Sequence, residues 1–337
     1  MGSTIQRCLT SQVLRQTQRQ QQRRYGRSYS NASASAVDHW IQSMVTRPKK
    51  VSHDTIDVER ASQLKRILPT RQKGDYVQDA HIGEILPPSH HLVFFRPKPM
   101  LRDLGSDGSS TEYNAPNPYT RRMWAGGKMM WSNKTSLRIG DEMTQIVTVP
   151  KVELKKDMIF VHQQLSIYPG IISDANEAWA VKEIRTHVFR KQEDPLKTSA
   201  PIQEKNTNAI TYDDEINASD TDQAPVSFQY TPNTPSLFLY SALTHNPHKV
   251  HYDHPWTINK ERHPAPLVHG PLNATLLVEL ASGFDDRLLK SFSYRATGPM
   301  IVDKEIKMTG KWNDRGLLEL DAAQGGKIGM KATAEYH

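Results

Sequence analysis

Two stretches of this 337-residue chain carry the short apolar-polar runs of β-strands. In the first, TQIVTVPKVEL (144–154), DMIFVHQQLSIY (157–168) and AWAVKEIRTHVF (178–189) place β-branched and aromatic residues at every second position. That spacing predicts half-buried strands. The second stretch offers LKSFSYRAT (289–297), KEIKMTGKW (304–312), GLLELDAAQ (316–324) and GKIGMKATAEY (326–336). Ahead of it lies PLNATLLVELAS (271–282), where Leu272, Leu276, Leu277 and Leu280 predict an apolar helix. GGKMMWSNKTSL (126–137) is helix-capable and stands ahead of the first strand set. A helix followed by several strands, twice, predicts an α+β fold with antiparallel sheets. The two halves share this order but no residue-by-residue repeat.

Between the halves, Gln192 to Ala224 is polar and too poor in large apolar groups to offset the entropy of ordering it. It is expected to be a linker or long surface loop, dividing the body into 38–191 and 225–337. Charge changes the picture at the other end. The net charge of +7 is concentrated in residues 1–37, which hold Arg7, Arg15, Arg19, Arg23, Arg24 and Arg27 and no acid. Beyond them 37 basic residues face 36 acidic ones, so no concentrated basic patch favours nucleic acid. The acid-free, Ser-rich leader, with Ile5, Leu9 and Val13 on one helical face, reads as a mitochondrial presequence cleaved near RRYGRSYSNAS (23–33), directing the chain to the matrix. Cys8, the single cysteine, lies in that leader, so the mature chain is expected to have no thiolate chemistry. No apolar run reaches the roughly 20 residues of a membrane span.

Candidate chemistry centres on THNPHKVHYDHP (244–255), where His245, His248, His251 and His254 recur at intervals of three. Three readings are open at this point: a metal site, a catalytic loop, or surface histidines. Thr234 and Pro235 suit the cap and first position of a helix running to about Leu243, and Asn246-Pro247 ends it. The histidines therefore sit on a loop, where an interval of three fixes no common direction, whereas a helical metal pair needs i and i+4. Asp253, ahead of Pro255, reads as a helix cap. WAGGK (124–128) lacks the spacing of a phosphate-binding loop and is expected to form a tight turn packing a helix start against a sheet.

YSALTHNPHKVHYDHPW (240–256), followed by PLVHGPLNATLL (266–277), resembles the active-site loop and central-helix start of MaoC-like hydratase/dehydratases of the hotdog superfamily. RRMWAGGKMMW (121–131) and FSYRATGPM (292–300) resemble further elements of its double-hotdog branch, which includes mitochondrial type 2 hydroxyacyl-thioester dehydratases and mesaconyl-C4-CoA hydratases. The resemblance implies a tandem hotdog, each half a curved antiparallel sheet around a central helix. The second half would be catalytic. The first, without a comparable histidine loop, would be the facing pseudo-subunit and supply much of the acyl pocket.

By the same resemblance His251 is the catalytic histidine, expected to titrate near neutrality, and Asn246 stands where the general pattern has aspartate. An amide is no base at neutral pH, so Asn246 orients water while His251 moves protons alone. Gly270 would bind the developing enolate oxygen through its N–H, and His269 precedes it. His248 reads first as a satisfied loop histidine, with substrate contact as the alternative; Lys249 and Arg295 read first as solvated charges, with a phosphopantetheine or nucleotide phosphate as the alternative partner. No cofactor and no metal is implied. The reaction would interconvert 3-hydroxyacyl and trans-2-enoyl thioesters, on acyl carrier protein in mitochondrial fatty acid synthesis. A hydratase of a short branched or dicarboxylic enoyl-CoA, or a non-catalytic acyl-binding protein, are the alternatives.

Overall fold

The structure, a computed structural model, describes residues 35–71, 78–191 and 226–337. Most of residues 1–37, the expected leader, and the whole 192–224 segment lie outside the described residues. In chain order the elements are α1 (residues 35–45), β1 (Lys50–Thr55), α2 (Val58–Ile67), β2 (Arg121–Trp131), β3 (Glu142–Lys155), β4 (Met158–Pro169) and β5 (Val181–Arg190). They continue with β6 (Val226–Tyr230), α3 (Thr234–Thr244), α4 (His254–Asn259), α5 (Gly270–Ser282), β7 (Leu289–Ala296), β8 (Ile306–Trp312), β9 (Leu318–Gln324) and β10 (Lys327–Tyr336).

All ten strands form one antiparallel sheet in the order β1-β3-β4-β5-β2-β7-β10-β9-β8-β6. From either edge inward the order is the same, β1-β3-β4-β5-β2 and β6-β8-β9-β10-β7, and the halves meet where β2 pairs with β7. The repeat absent from the residues is thus present in the topology. This is the antiparallel α+β architecture that the sequence pattern predicts, arranged as the tandem hotdog that the resemblance implies.

Strand alternation becomes burial alternation. Leu318, Leu320 and Ala322 of β9 face inward, and Ile306, Met308 and Gly310 do so on β8. Against these inner faces lies α5, with Leu272, Ala274, Leu276, Leu277, Val278 and Ala281 all buried. A helix apolar nearly all round belongs in a core, and each fully buried Leu or Val contributes roughly 1.5–3 kcal/mol. In the first half α2 adds Ala61 and Leu64 to the same core as Met129, Met143 and Ile167. Val37 and Trp40 of α1 pack with Tyr119, Ile159 and Phe189 in a smaller cluster, so the packed body begins within the last residues of the expected leader.

Two expectations around GGKMMWSNKTSL and WAGGK are corrected. Residues 126–131 are strand, the inner edge of β2, paired with β5 on one side and β7 on the other. The glycines mark a close approach of backbones, not a turn. A Cβ on Gly127 would stand 2.2 Å from the Ile184 carbonyl oxygen. One on Gly126, at φ +154°, would stand 2.4 Å from that of Tyr294. Glycine is the residue that lets backbones meet so closely. A register shift between Trp124 and Gly126 bulges the strand at Ala125 and so re-aims the side chains beside it.

Candidate active site

The histidine loop is held from both ends. Upstream, α3 is capped by Asn233, one residue before the expected Thr234: its side chain accepts from the Ser236 N–H at 2.9 Å, in a reciprocal capping box. The helix ends at His245, which takes the left-handed conformation at φ 50°, and the Asn246 N–H closes the turn on the Ser241 carbonyl at 2.9 Å. Downstream, Asp253 caps α4 as read from sequence, accepting from the Trp256 N–H at 2.9 Å. Residues 249–251 between them form a single 3-10 turn.

That turn carries His251 under cover, its Nδ1 2.8 Å from the Leu267 carbonyl oxygen. A carbonyl only accepts, so Nδ1 holds the proton and donates, leaving Nε2 with a bare lone pair. The imidazole lies flat on that of His269, with centroids 3.6 Å apart and planes 17° from parallel. His269 is wholly buried, bonded through Nε2 to the Ser241 hydroxyl at 2.8 Å and bordered edge-on by Tyr240. Burial first, then His248, pushes the His251 pKa down to about 3, with the Leu267 carbonyl opposing. Burial and His251 hold His269 well below its ordinary value too. The titration near neutrality expected of His251 is therefore corrected: both rings are neutral bases, because a charge on either would be desolvated.

His248 meets His251 edge-on at 5.6 Å, and its Nε2 lies 3.5 Å from a carboxylate oxygen of Asp107. Asp107 belongs to the first half, whose 105–109 turn grips the loop from outside. Its carbonyl accepts the Lys249 N–H at 2.8 Å, and a Cβ on Gly108 would fall 2.1 Å from the Pro247 carbonyl oxygen. Lys249 itself points into this clasp, its Nζ 2.8 Å from the Ser106 carbonyl oxygen and 4.3 Å from the centre of the Trp256 ring. Arg295 is exposed on β7.

Asn246, His248, His251 and Gly270 all line one cavity of about 650 Å³; Lys249, Arg295 and His269 do not. His269 stands behind His251 as its stacking platform. Gly270 is the first residue of α5, whose opening N–H groups have no partner within the helix, and the His269 side chain leaves them uncapped. A Cβ there would press on the Trp124 ring at 3.4 Å. The helix start thus brings the Gly270 N–H and the positive end of its dipole to the cavity, since Pro271 has no N–H to offer.

The opposite wall comes from the first half and was not singled out in the sequence: His91, Arg122, Trp124, Arg185 and His187. Glu183 and Arg185 form a two-pronged ion pair, both contacts 2.8 Å, with His91 Nε2 3.6 Å from the same carboxylate. Burial pushes the Glu183 pKa up, but Arg185 and His91 outweigh it and hold the carboxyl well below the usual range. His187 is pushed well below its ordinary value by burial and by Arg122 and Arg185. Trp124 bonds through Nε1 to the Tyr294 hydroxyl at 2.9 Å, tying this wall to β7. Among the described residues no group of three or more His, Cys, Asp or Glu side chains is arranged to hold a metal ion. Nor, among them, is any helix long and apolar enough to cross a membrane.

Residues 89–302 match the family described as hydroxyacyl-thioester dehydratase type 2. The chain is 30% identical over 260 residues to the mesaconyl-C(4)-CoA hydratase of Chloroflexus aurantiacus, covering 74% of this chain and 83% of that protein. It is 24% identical over 252 residues to the mitochondrial hydroxyacyl-thioester dehydratase type 2 of Schizosaccharomyces pombe, covering 70% and 83%. Among solved structures, a MaoC-like dehydratase from Phytophthora capsici superposes with a TM-score of 0.61 over 88% of this chain and 98% of that one. At 12% identity that likeness speaks for the fold alone.

Proposed function

Because the chain belongs to the type 2 hydroxyacyl-thioester dehydratase family, it is a hydro-lyase, and we propose that it interconverts 3-hydroxyacyl and trans-2-enoyl thioesters through His251, Asn246 and Gly270. The observation that carries this assignment is the hydrogen bond from His251 Nδ1 to the Leu267 carbonyl, which leaves Nε2 free beside the open start of α5.

In the hydration direction, Asn246 orients a water and Nε2 of His251 takes its proton as the oxygen attacks C3. The thioester oxygen becomes an enolate, met by the Gly270 N–H. The imidazolium then returns a proton to C2. Dehydration runs the same steps backward. Positioned acid/base help is worth roughly 100- to 10,000-fold and a fixed enolate donor roughly 100- to 1,000-fold. Burial keeps the ring unprotonated and so able to accept; it weakens the base in the first step and eases return of the proton to carbon in the second.

The composition of residues 1–37 and the mitochondrial S. pombe relative support delivery to the matrix, with acyl carrier protein as the donor. A fluorescent reporter fused behind that segment is expected to enter mitochondria; a diffuse cytosolic signal would remove the claim. A second reading, a short branched or dicarboxylic enoyl-CoA as substrate, is favoured by the arginines of the cavity wall and by the Chloroflexus relative. Incubating the leaderless protein with enoyl thioesters on both carriers in ¹⁸O-water checks the reaction. Labelled oxygen is expected in the 3-hydroxyl group. Tight thioester binding without label would instead mark an acyl-binding protein.

A further inference from the structure

Five arginines among the described residues line the cavity, and they are not equivalent: Arg190 is exposed, and Arg96 is partly exposed on the loop that follows the 90–93 turn. Arg121 is spoken for by Glu261 at 3.2 Å, and Arg185 by Glu183. Arg122 lines the same cavity, and its one hydrogen bond among the described residues is from Nη1 to the Ser110 carbonyl oxygen at 3.2 Å. Asp107 acts on it only through space, being itself engaged by the Ser109 hydroxyl and His248. The two imidazoles whose pKa values Arg122 helps to lower, His187 and His248, are neutral neighbours and give it no counter-charge. A half-buried guanidinium with most of its five N–H donors unspent is costly unless a ligand completes it.

We propose that Arg122 is an anion subsite that receives a carboxylate on the acyl group, making thioesters of dicarboxylic enoyl acids the preferred substrates. The inference rests on the hydro-lyase reading of the site and takes the second of the two substrate readings above. A planar guanidinium pairs with a carboxylate through two parallel bonds. Its location selects the acyl end over the carrier end. Arg122 bonds the Ser110 carbonyl next to the 105–109 turn, that turn's Asp107 contacts His248, and the His248 ring abuts that of His251, which puts the guanidinium on the His251 side of the cavity. A carrier's phosphate is removed from the reacting carbons by the whole pantetheine arm. With a four-carbon dicarboxylic substrate, the carboxylate sits on C3, the atom that receives water, and Arg122 fixes that carbon against Asn246 and His251.

Fumaryl-CoA and crotonyl-CoA test this, since they share length and double bond and differ in a terminal carboxylate against a methyl group. The wild type is expected to favour fumaryl-CoA by roughly 100-fold in kcat/KM, the scale of one desolvated charge pair. Arg122→Gln should collapse that ratio toward unity, and Arg122→Lys should keep part of it. The same comparison with N-acetylcysteamine thioesters, which carry no phosphate, should preserve both the preference and its loss. If the Arg122→Gln effect appears only with the CoA esters, Arg122 serves the carrier and the proposal fails. Equal rates on the two acyl groups, or a preference for crotonyl, overturn it as well. So does an equal loss on both in Arg122→Lys, since that marks a structural role. If the wild type hydrates neither probe but does hydrate a longer enoyl thioester, the proposal fails and the hydro-lyase reading stands; hydration of none of these thioesters overturns that reading too.

Discussion

Replacing His251 with alanine is expected to lower turnover by roughly 100- to 10,000-fold while leaving thioester affinity nearly intact, because proton transfer is absent from the ground-state contacts. The ring has no substitute: Asn246 cannot accept a proton, and His269 is sealed behind His251 with its Nε2 on Ser241. Asn246→Ala removes a neutral hydrogen bond to water together with the 3.3 Å bond its Oδ1 accepts from the His248 N–H, and should cost less than the loss of His251, about 0.5 to 1.5 kcal/mol for each bond. Asn246→Asp probes the pair more sharply. The new carboxylate favours the charged imidazole and raises the His251 pKa from its value of about 3. Activity is lost as the base protonates, so the acid limb of the pH–rate profile moves to higher pH. His248→Ala and His254→Ala should change turnover only modestly. Stopped or continuous assays across pH settle these together, and a His248→Ala defect as deep as that of His251→Ala would overturn the assignment of the loop.

Arg185→Met is expected to destabilise the fold by about 3–5 kcal/mol, because it abandons the Glu183 carboxylate in the interior without its counter-ion. Glu183 is 1% exposed and cannot relax toward water. The double variant Arg185→Met/Glu183→Gln should recover much of the loss, since it removes the charge that was stranded. In the wild type the folded-state pKa of Glu183 is depressed, so its contribution is fully present above the ordinary value of 4.5 and is lost as pH falls toward about 2. Arg185→Met should lack this acid-side decline. Urea unfolding at neutral and acid pH reads both effects, and a single variant as stable as the double one would show that the pair does not hold the wall together.

Most strands were legible because one face of each is buried: β3, β4, β5 and β7 to β10 all fall on runs where apolar residues recur at every second position. β2 was not. Its Gly126 and Gly127 carry turn-like chemistry locally, and the reason for them, backbones arriving from β5 and β7, lies far away in sequence. The short edge strands β1 (KVSHDT) and β6 (VSFQY) have too few apolar positions to declare themselves. The site divides in the same way. His251, Asn246 and Gly270 stand in a recognisable string, whereas Glu183, Arg185 and His187 alternate with Ile184 and Thr186 and look like an ordinary solvent face. Period two tells which residues share a side of a strand but not whether water or a cavity lies there. Arg122 was hidden likewise, being one of two adjacent arginines whose difference is a partner, Glu261, supplied from the other half.

The mirror-like strand order of the halves has a consequence for how the enzyme behaves on dilution. Where two separate chains must meet to close such a cavity, the working fraction falls with concentration. Here β2 and β7 belong to one polypeptide, so their meeting is intramolecular and proceeds at an effective concentration fixed by the connecting chain. Specific activity should therefore stay constant down to trace amounts of enzyme. A chain severed between β5 and β6 should regain activity only where the two fragments are concentrated enough to find each other.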